Sequence, residues 1–241
     1  MNIYGITDQG RVRTQNQDAF YEWTDGTYAV LLVCDGMGGA KAGNVASSLA
    51  AQQFAETLAQ SHGIVQERLR DALAQANGAV YTRSRQDAAC QGMGTTLVAA
   101  FAGEGRAYFI NVGDSRAYYL TPAGIRQVTH DHSLVAELVE CGKLTEEEAR
   151  CHPNRNVITR ALGTTRDVIG DIFEVDLEEG SRLLLCSDGL SNLVTPEEML
   201  QTALTEGSIA DCCARLVALA LERGAPDNVT VVMLDTAPQG A

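Results

Sequence analysis

The sequence predicts an α+β layered fold in which mostly antiparallel sheets are covered by helix pairs. Nine short stretches rich in β-branched or apolar residues, most of them bounded by Gly, Asp or Asn, follow one another at hairpin-like spacing. The helical stretches come in pairs instead of alternating with strands, which argues against a parallel βαβ succession. No internal repeat and no Pro/Gly/Ser-rich linker divides the 241 residues, so one domain, 1–241, is expected. A chain of this length buries a sizeable core without disulfide or metal staples.

The first strand is expected over residues 3–7 and the second over 27–34, the latter ending in a strand-length apolar run. Two Ala/Leu/Gln-rich stretches, 43–60 and 64–85, carry apolar residues at helical spacing and form the first helix pair. Strands follow at 95–102, 107–112, 117–121 and 125–128. Residues 131–165 are polar, helix-prone and rich in turn residues; they interrupt the strands and read as a flap-like insertion. Within it Thr145 and Glu148 have the spacing of a capping box, and Glu146 and Glu147 suit the first turn of the helix it opens. Asp131, His132 and Ser133 resemble a hydrolase triad in composition only; triads are assembled in space, and a cap opening the next helix accounts for these residues. After strands at 172–175 and 182–186, Thr195, Pro196 and Glu198 make a second capping box with proline at the first helical position. That helix runs to about 204, another from about 208 to 223, and a last strand covers 229–234.

Composition excludes several partners. Eighteen basic against 31 acidic residues leave a formal charge of −13, the wrong sign for a nucleic-acid backbone or an anionic membrane. With 5% aromatic residues, base stacking is a poor reading too. The longest apolar runs are strand-sized, so no membrane span is expected. The first five residues show no basic stretch followed by an apolar one, so a cytoplasmic protein without a signal peptide is expected. The seven cysteines are odd in number and include no C-x-x-C pair, which favours reduced thiols over disulfides or zinc.

The chemistry lies at strand ends. Residues 30–36 (VLLVCDG) and 183–189 (LLLCSDG) repeat one design, an apolar strand running into an Asp-Gly pair, Asp35-Gly36 and Asp188-Gly189. A carboxylate at the end of a buried strand is costly to desolvate and needs a cation or several donors. Either pair alone would read as a common turn. Three further motifs add Asp18 (RTQNQD, 13–18), Asp114 (VGDSR, 112–116) and Asp227 (GAPDNVT, 224–230). Oxygen donors without a Cys or His pattern favour the hard cations Mg²⁺ or Mn²⁺. Gly36, Gly38 and Gly39 are expected to form a tight turn in which a backbone carbonyl approaches a metal. The cluster matches neither an EF-hand nor a Walker P-loop.

Together with Met93-Gly94-Thr95-Thr96 and the segments 129–133 and 152–163, these motifs run in order from residue 5 to about 235. The set resembles the metal-dependent protein Ser/Thr phosphatases of type 2C in their compact bacterial form. The resemblance implies a β-sandwich of two antiparallel sheets flanked by helix pairs, a four-layer αββα, with metals in a cleft at one end and a flap at 131–165. It also implies roles. Asp35 would bridge two ions, Asp188 and Asp227 would complete the first, and the Gly36 carbonyl with Asp18 the second. Asp114, with Asp188, would hold a weaker third ion. Arg13 would grip the substrate phosphate with its planar fork of donors. The implied activity is hydrolysis of phosphoserine and phosphothreonine on proteins by a water held between two Mg²⁺ or Mn²⁺ ions, reversing a bacterial Ser/Thr kinase. That kinase is expected among the phosphoprotein partners, and the chain is expected to be a monomer.

One position departs from the pattern. Many relatives carry His directly after the Gly-Gly of the loop, where this chain has Ala40 and then Lys41, so the usual general acid is missing. A steeper leaving-group dependence than that of a His-containing relative is the expectation. Two other readings keep these motifs: a phosphatase of a phosphorylated anti-sigma-factor antagonist, and a non-catalytic phosphoprotein-binding module. The first often lacks the phosphate-gripping arginine and the second would lack metal ligands, so Arg13 and the five aspartates favour the general phosphatase.

Overall fold

Leu31 and Val33 of one strand point to one face of their sheet, Val30, Leu32 and Cys34 to the other, and all five are buried. Such a strand has to be covered on both sides, and this requirement organises the molecule. The structure, a computed structural model, describes residues 1–237 apart from the side chains at 39–41 and 150.

One sheet orders β1 (Asn2–Asp8), β11 (Val229–Asp235), β10 (Arg182–Cys186), β7 (Arg116–Thr121) and β8 (Gly124–Gln127). The other orders β2 (Asp18–Thr24), β3 (Ala29–Met37), β5 (Leu97–Gly103), β6 (Arg106–Val112) and β9 (Asp171–Asp176), with β4 (Gly94–Thr95) paired to the end of β3. All pairings are antiparallel. Between the sheets Leu31, Val33, Val98 and Phe109 meet Leu183, Leu185, Val232 and Leu234. The outer face of the second sheet is covered by α1 (Gly39–Gln60) and α2 (Val65–Gln86). Along α1 the buried residues Ala42, Ala46, Ala50, Phe54 and Leu58 recur every fourth position, and the small ones let the helix approach the strands closely.

The segment between β8 and β9 carries α3 (Leu134–Glu140) and α4 (Glu146–Cys151), and α5 (Asp188–Ser191) follows β10. The outer face of the first sheet is covered by α6 (Pro196–Thr205) and α7 (Ile209–Glu222), the latter through Ile209, Cys212, Cys213, Leu216, Val217 and Ala220 on one stripe. The result is the αββα sandwich expected.

Local signals held well. Both capping boxes form, Thr145 with Glu148 and Thr195 with Glu198, and Ser133 Oγ caps α3 by accepting the Ala136 N–H at 3.2 Å. Asn77 is buried on α2, where its Oδ1 accepts the Gly163 N–H at 2.8 Å and its amide donates to the Thr165 and Arg166 carbonyls. It thereby pins the chain where it returns towards β9.

Other expectations need correction. β2 was not foreseen, because it is a sheet edge whose residues are mostly half-buried and whose apolar run is broken by Glu22. The strand expected at 27–34 begins at Ala29 and continues through Asp35 and Gly36 to Met37. The turn expected over Gly36, Gly38 and Gly39 is therefore confined to its later part: Gly36 is strand, paired with Thr95, and the chain turns at Gly38, whose φ is +129°. What Gly36 provides is clearance, since a Cβ there would collide with the Gly43 carbonyl oxygen and lie 2.6 Å from that of Gln17. The strand expected at 95–102 is broken at Thr96 into β4 and β5. α1 starts at Gly39 instead of 43, and Asp188 opens the single turn of α5. All seven cysteines are free, and no described helix is long and apolar enough to cross a membrane.

Candidate active site

Strand register brings the aspartates to one end of the sandwich. Pairing of β2 with β3 sets Asp18 opposite Asp35. Pairing of β10 with β11 sets Cys186 beside Val231, so Ser187 and Asp188 emerge next to Thr230 and the Asp227-Asn228 loop. Asp114 sits in the turn between β6 and β7. A cleft of about 440 Å³ is lined by Arg13, Asp35, Gly36, Asp114, Asp188 and Asp227, with Asn156 and Ile158 contributed by the segment between β8 and β9. Asp18 is buried beneath it. A larger groove of about 840 Å³, towards the other end of β3, is lined by Tyr21, Trp23, Tyr28 and Phe101 and has no carboxylate cluster. Size alone would pick the wrong site.

Hydroxyl and amide side chains fix the carboxylates. Asp18 Oδ2 accepts from Ser187 Oγ at 2.7 Å and from Thr230 Oγ1 at 2.6 Å, whereas its Oδ1 is buried without a hydrogen-bond partner. Asp188 Oδ2 accepts from Asn192 at 3.1 Å, and its Oδ1 is likewise buried without a donor. The Asp35 N–H donates to Thr96 Oγ1 at 2.9 Å, and the Asp35 carbonyl accepts from the Thr96 N–H and the Thr95 hydroxyl at the same distance. The break between β4 and β5 thus exists to hold Asp35. Thr96 Oγ1 also lies 2.7 Å from Ser115 Oγ, linking Asp35 to the turn that carries Asp114.

On the far wall, Asp227 accepts from Arg13 Nη2 at 2.6 Å and from the Asn228 N–H at 2.8 Å. The Asn228 side chain accepts the Gln17 N–H and donates to the Gln9 and Gln15 carbonyls, which ties down the loop bearing Arg13. Sequence reasoning singled out the aspartates and Arg13 but not Ser187, Thr230, Asn228 and Thr96. Ser187, Asn228 and Thr230 lie within three residues of a strand-end Asp, and that adjacency was their signal; Thr96 sits in its own motif about 60 residues from Asp35 and carried none.

The carboxylates raise one another. Burial, opposed by the Thr230 and Ser187 hydroxyls, lifts Asp18 from the usual carboxylate range to about 7. Burial and the neighbouring Asp188 and Asp131 lift Asp114 to about 8. Asp188 is raised by burial and by Asp227, with partial relief from its neighbours Asp35, Arg116 and Arg13. Asp35 is held well above its ordinary value by burial and by Asp18, Asp188, Asp114 and Asp227, so all four of the others act on it. In this geometry no three such side chains among the described residues converge on one point at ligand spacing, and Asp227 is turned to Arg13. The donor set nonetheless fits a hard divalent cation: it is all oxygen, Asp18 is buried and the other four are half-buried, and two of its oxygens, Asp18 Oδ1 and Asp188 Oδ1, are buried without any other partner.

Fold and cleft together define the class, a four-layer αββα sandwich with an oxygen-only acidic site at one end of its sheets. The chain belongs to the Protein phosphatase 2C family, which matches residues 9–218, and it is a serine/threonine protein phosphatase of that type. It is 35% identical over 236 residues to serine/threonine phosphatase stp of Listeria monocytogenes, covering 95% of this chain and 93% of that protein. The crystal structure of the Mycobacterium tuberculosis serine/threonine phosphatase PstP/Ppp superposes with a TM-score of 0.91 at 37% identity, covering 98% of this chain and 99% of that one. The catalytic domain of serine/threonine protein phosphatase PstP in complex with two manganese ions superposes at 0.87 and 36% identity, with 97% of each chain covered.

Proposed function

We propose that this phosphatase hydrolyses phosphoserine and phosphothreonine on proteins with two Mn²⁺ or Mg²⁺ ions held in its acidic cleft. The observation that carries the reading is Asp35, fixed through its backbone at the centre of four other carboxylates that all press on it. Asp35 would touch both ions, Asp188 and Asp227 the first, and the Gly36 carbonyl and Asp18 the second, with Asp18 Oδ1 the oxygen free to do so. Asp114 with Asp188 would hold a third, weaker ion. Bound there, the ions would supply the positive charge that activates a water near neutral pH and neutralises phosphate oxygens.

The chain's own residues do the rest. Arg13 swings from Asp227 to the phosphate, where its fork can hold two oxygens at once. Asn228 keeps the Arg13 loop in reach. Residues 131–165 act as a flap whose Asn156 and Ile158 line the cleft and would meet the polypeptide that carries the phosphate. The expectation about Ala40 and Lys41 concerns side chains outside the described residues.

The substrates are phosphorylated proteins, including the bacterial Ser/Thr kinase that this enzyme opposes, and the enzyme acts as a cytoplasmic monomer forming one catalytic domain over 1–241. Intact Arg13 and all five aspartates support this reading over an antagonist-specific phosphatase or a non-catalytic binding module.

Phosphate release from phosphothreonine and phosphoserine peptides should require Mn²⁺ or Mg²⁺, stop with EDTA and be lost in Asp188→Ala. Full activity of that variant, or activity unaffected by EDTA, would refute the metal reading. Arg13→Ala should lower kcat/KM for a phosphopeptide about 10- to 100-fold, mostly through KM, because a charge-assisted hydrogen bond of about 1.5–3 kcal/mol is made to the ground state as well. An unchanged KM would remove Arg13 from the phosphate site.

A further inference from the structure

We propose that His132 is a positioning residue that aims Asp114 into the cleft; the inference rests on the reading of Asp114 as a ligand of the third ion. His132 is almost completely buried, with 6% of its side chain exposed. It grips the residue before Asp114 twice: its backbone N–H donates to the Gly113 carbonyl at 2.9 Å, and its ring Nδ1 accepts the Gly113 N–H at 3.1 Å. Gly113 has no side chain to brace the turn, and its φ of +108° and the Thr96 side chain, 2.6 Å from any added Cβ, keep it glycine. The imidazole supplies the missing brace.

The far side of the ring sets its tautomer. A ring nitrogen that accepts an N–H carries no proton, so the neutral imidazole bears its hydrogen on Nε2. Nε2 lies 3.2 Å from Asp171 Oδ2, and Asp171 Oδ1 accepts from Arg160 at 3.0 Å. Arg160 Nη1 is also 3.2 Å from Nε2, but both atoms are donors in this tautomer, so the hydrogen bond Arg160 makes is the one to Asp171. Asp171, anchored by Arg160, thus fixes the ring with Nδ1 as acceptor. This is how groups outside a metal's ligand set orient the ligands themselves.

The other flank of Asp114 is held from the neighbouring position. Arg116 donates to Asp131 through Nε at 3.0 Å and Nη2 at 2.7 Å. Consecutive residues at the base of the segment between β8 and β9 therefore clamp both sides of the turn. The His132 carbonyl also accepts the Thr159 N–H at 2.8 Å, one residue beyond the cleft-lining Ile158.

The experiment titrates the full-length protein with Mn²⁺ by calorimetry, with phosphate release measured in parallel, for wild type, Asp114→Ala, His132→Ala, His132→Asn and His132→Gln. Asp114→Ala should lose the weak binding event. His132→Ala and His132→Gln should weaken it about 10-fold while the two tighter ions bind as before, the size typical of a lost orienting group. His132→Asn, whose Oδ1 takes the place of Nδ1, should stay within about threefold of wild type. A role in filling space predicts the reverse order, since Gln is nearer to His in volume. Weak-site binding unchanged in His132→Ala but lost in Asp114→Ala would overturn the role of His132 alone. Unchanged binding in Asp114→Ala would overturn the reading of Asp114 and this inference with it. If His132→Ala does not fold, the Asn and Gln variants decide, and equal weakening in both overturns the proposal.

Discussion

Asp35→Asn should cost the enzyme about 10³-fold or more in kcat/KM with Mn²⁺ and, in the presence of a chelator, make it more stable than wild type. Both effects have one cause. Asp35 is a largely desolvated carboxylate pressed by four others and held by its backbone where it cannot retreat. With ions held as proposed, that crowding would attract their charge, and losing the ligand proposed to join them would forfeit several kcal/mol of transition-state stabilisation. Without ions the same carboxylate is a liability, and a neutral amide of the same shape removes it. A gain of roughly 2 kcal/mol would raise Tm by about 4–8 °C in a domain of this size. Differential scanning calorimetry in EDTA, paired with phosphate-release kinetics in Mn²⁺, reads both. A variant that loses activity and stability together would mean that Asp35 is structural.

Stability should fall with rising pH when metal is chelated, opposite to the usual behaviour of a paired carboxylate. Asp18 titrates at about 7 and Asp114 at about 8 in the folded protein, against 3.8 for an ordinary aspartate. The folded state therefore keeps protons that the unfolded chain releases, and the stabilisation is fully present below about pH 4 and lost as pH climbs through 7 and 8. Each pH unit over which one group differs is worth about 1.4 kcal/mol. With both groups losing their protons over that range, a drop in Tm of roughly 14–28 °C between pH 5 and 8.5 is expected in EDTA. At the acid end the slope reverses. Glu198, held down to about 2 by its hydrogen bond from Arg223 against an ordinary 4.5, contributes stability above pH 4.5 that is lost as pH falls towards 2. Mn²⁺ should raise Tm more at pH 8.5 than at pH 5, because an ion must displace the shared protons in order to bind. A pH-independent Mn²⁺ increment would show that the ions bind elsewhere.

The legible parts of the fold were those with a strong period or a local cap. The every-fourth-residue stripe of α1, the Thr195-Pro196-Glu198 start of α6 and the doubly buried run of β10 all read directly. β2 did not, because an edge strand need be apolar on one face only and Glu22 interrupts even that. The break at Thr96 was hidden because two β-branched threonines look like uninterrupted strand; only contact with Asp35, about 60 residues away in the chain, makes it necessary. The aspartates were visible because a charge ending an apolar strand is anomalous in itself. His132 was not, since its partner Gly113 lies 19 residues earlier and meets it only after β7 and β8 have formed.

Crystals of the protein grown with Mn²⁺ and measured for anomalous scattering place the ions without reference to activity. Two strong peaks should share Asp35, one within ligand distance of Asp188 and Asp227, the other facing the Gly36 carbonyl and Asp18 directly or through water. Peaks that leave Asp35 without an ion within ligand distance would contradict the two-ion cleft.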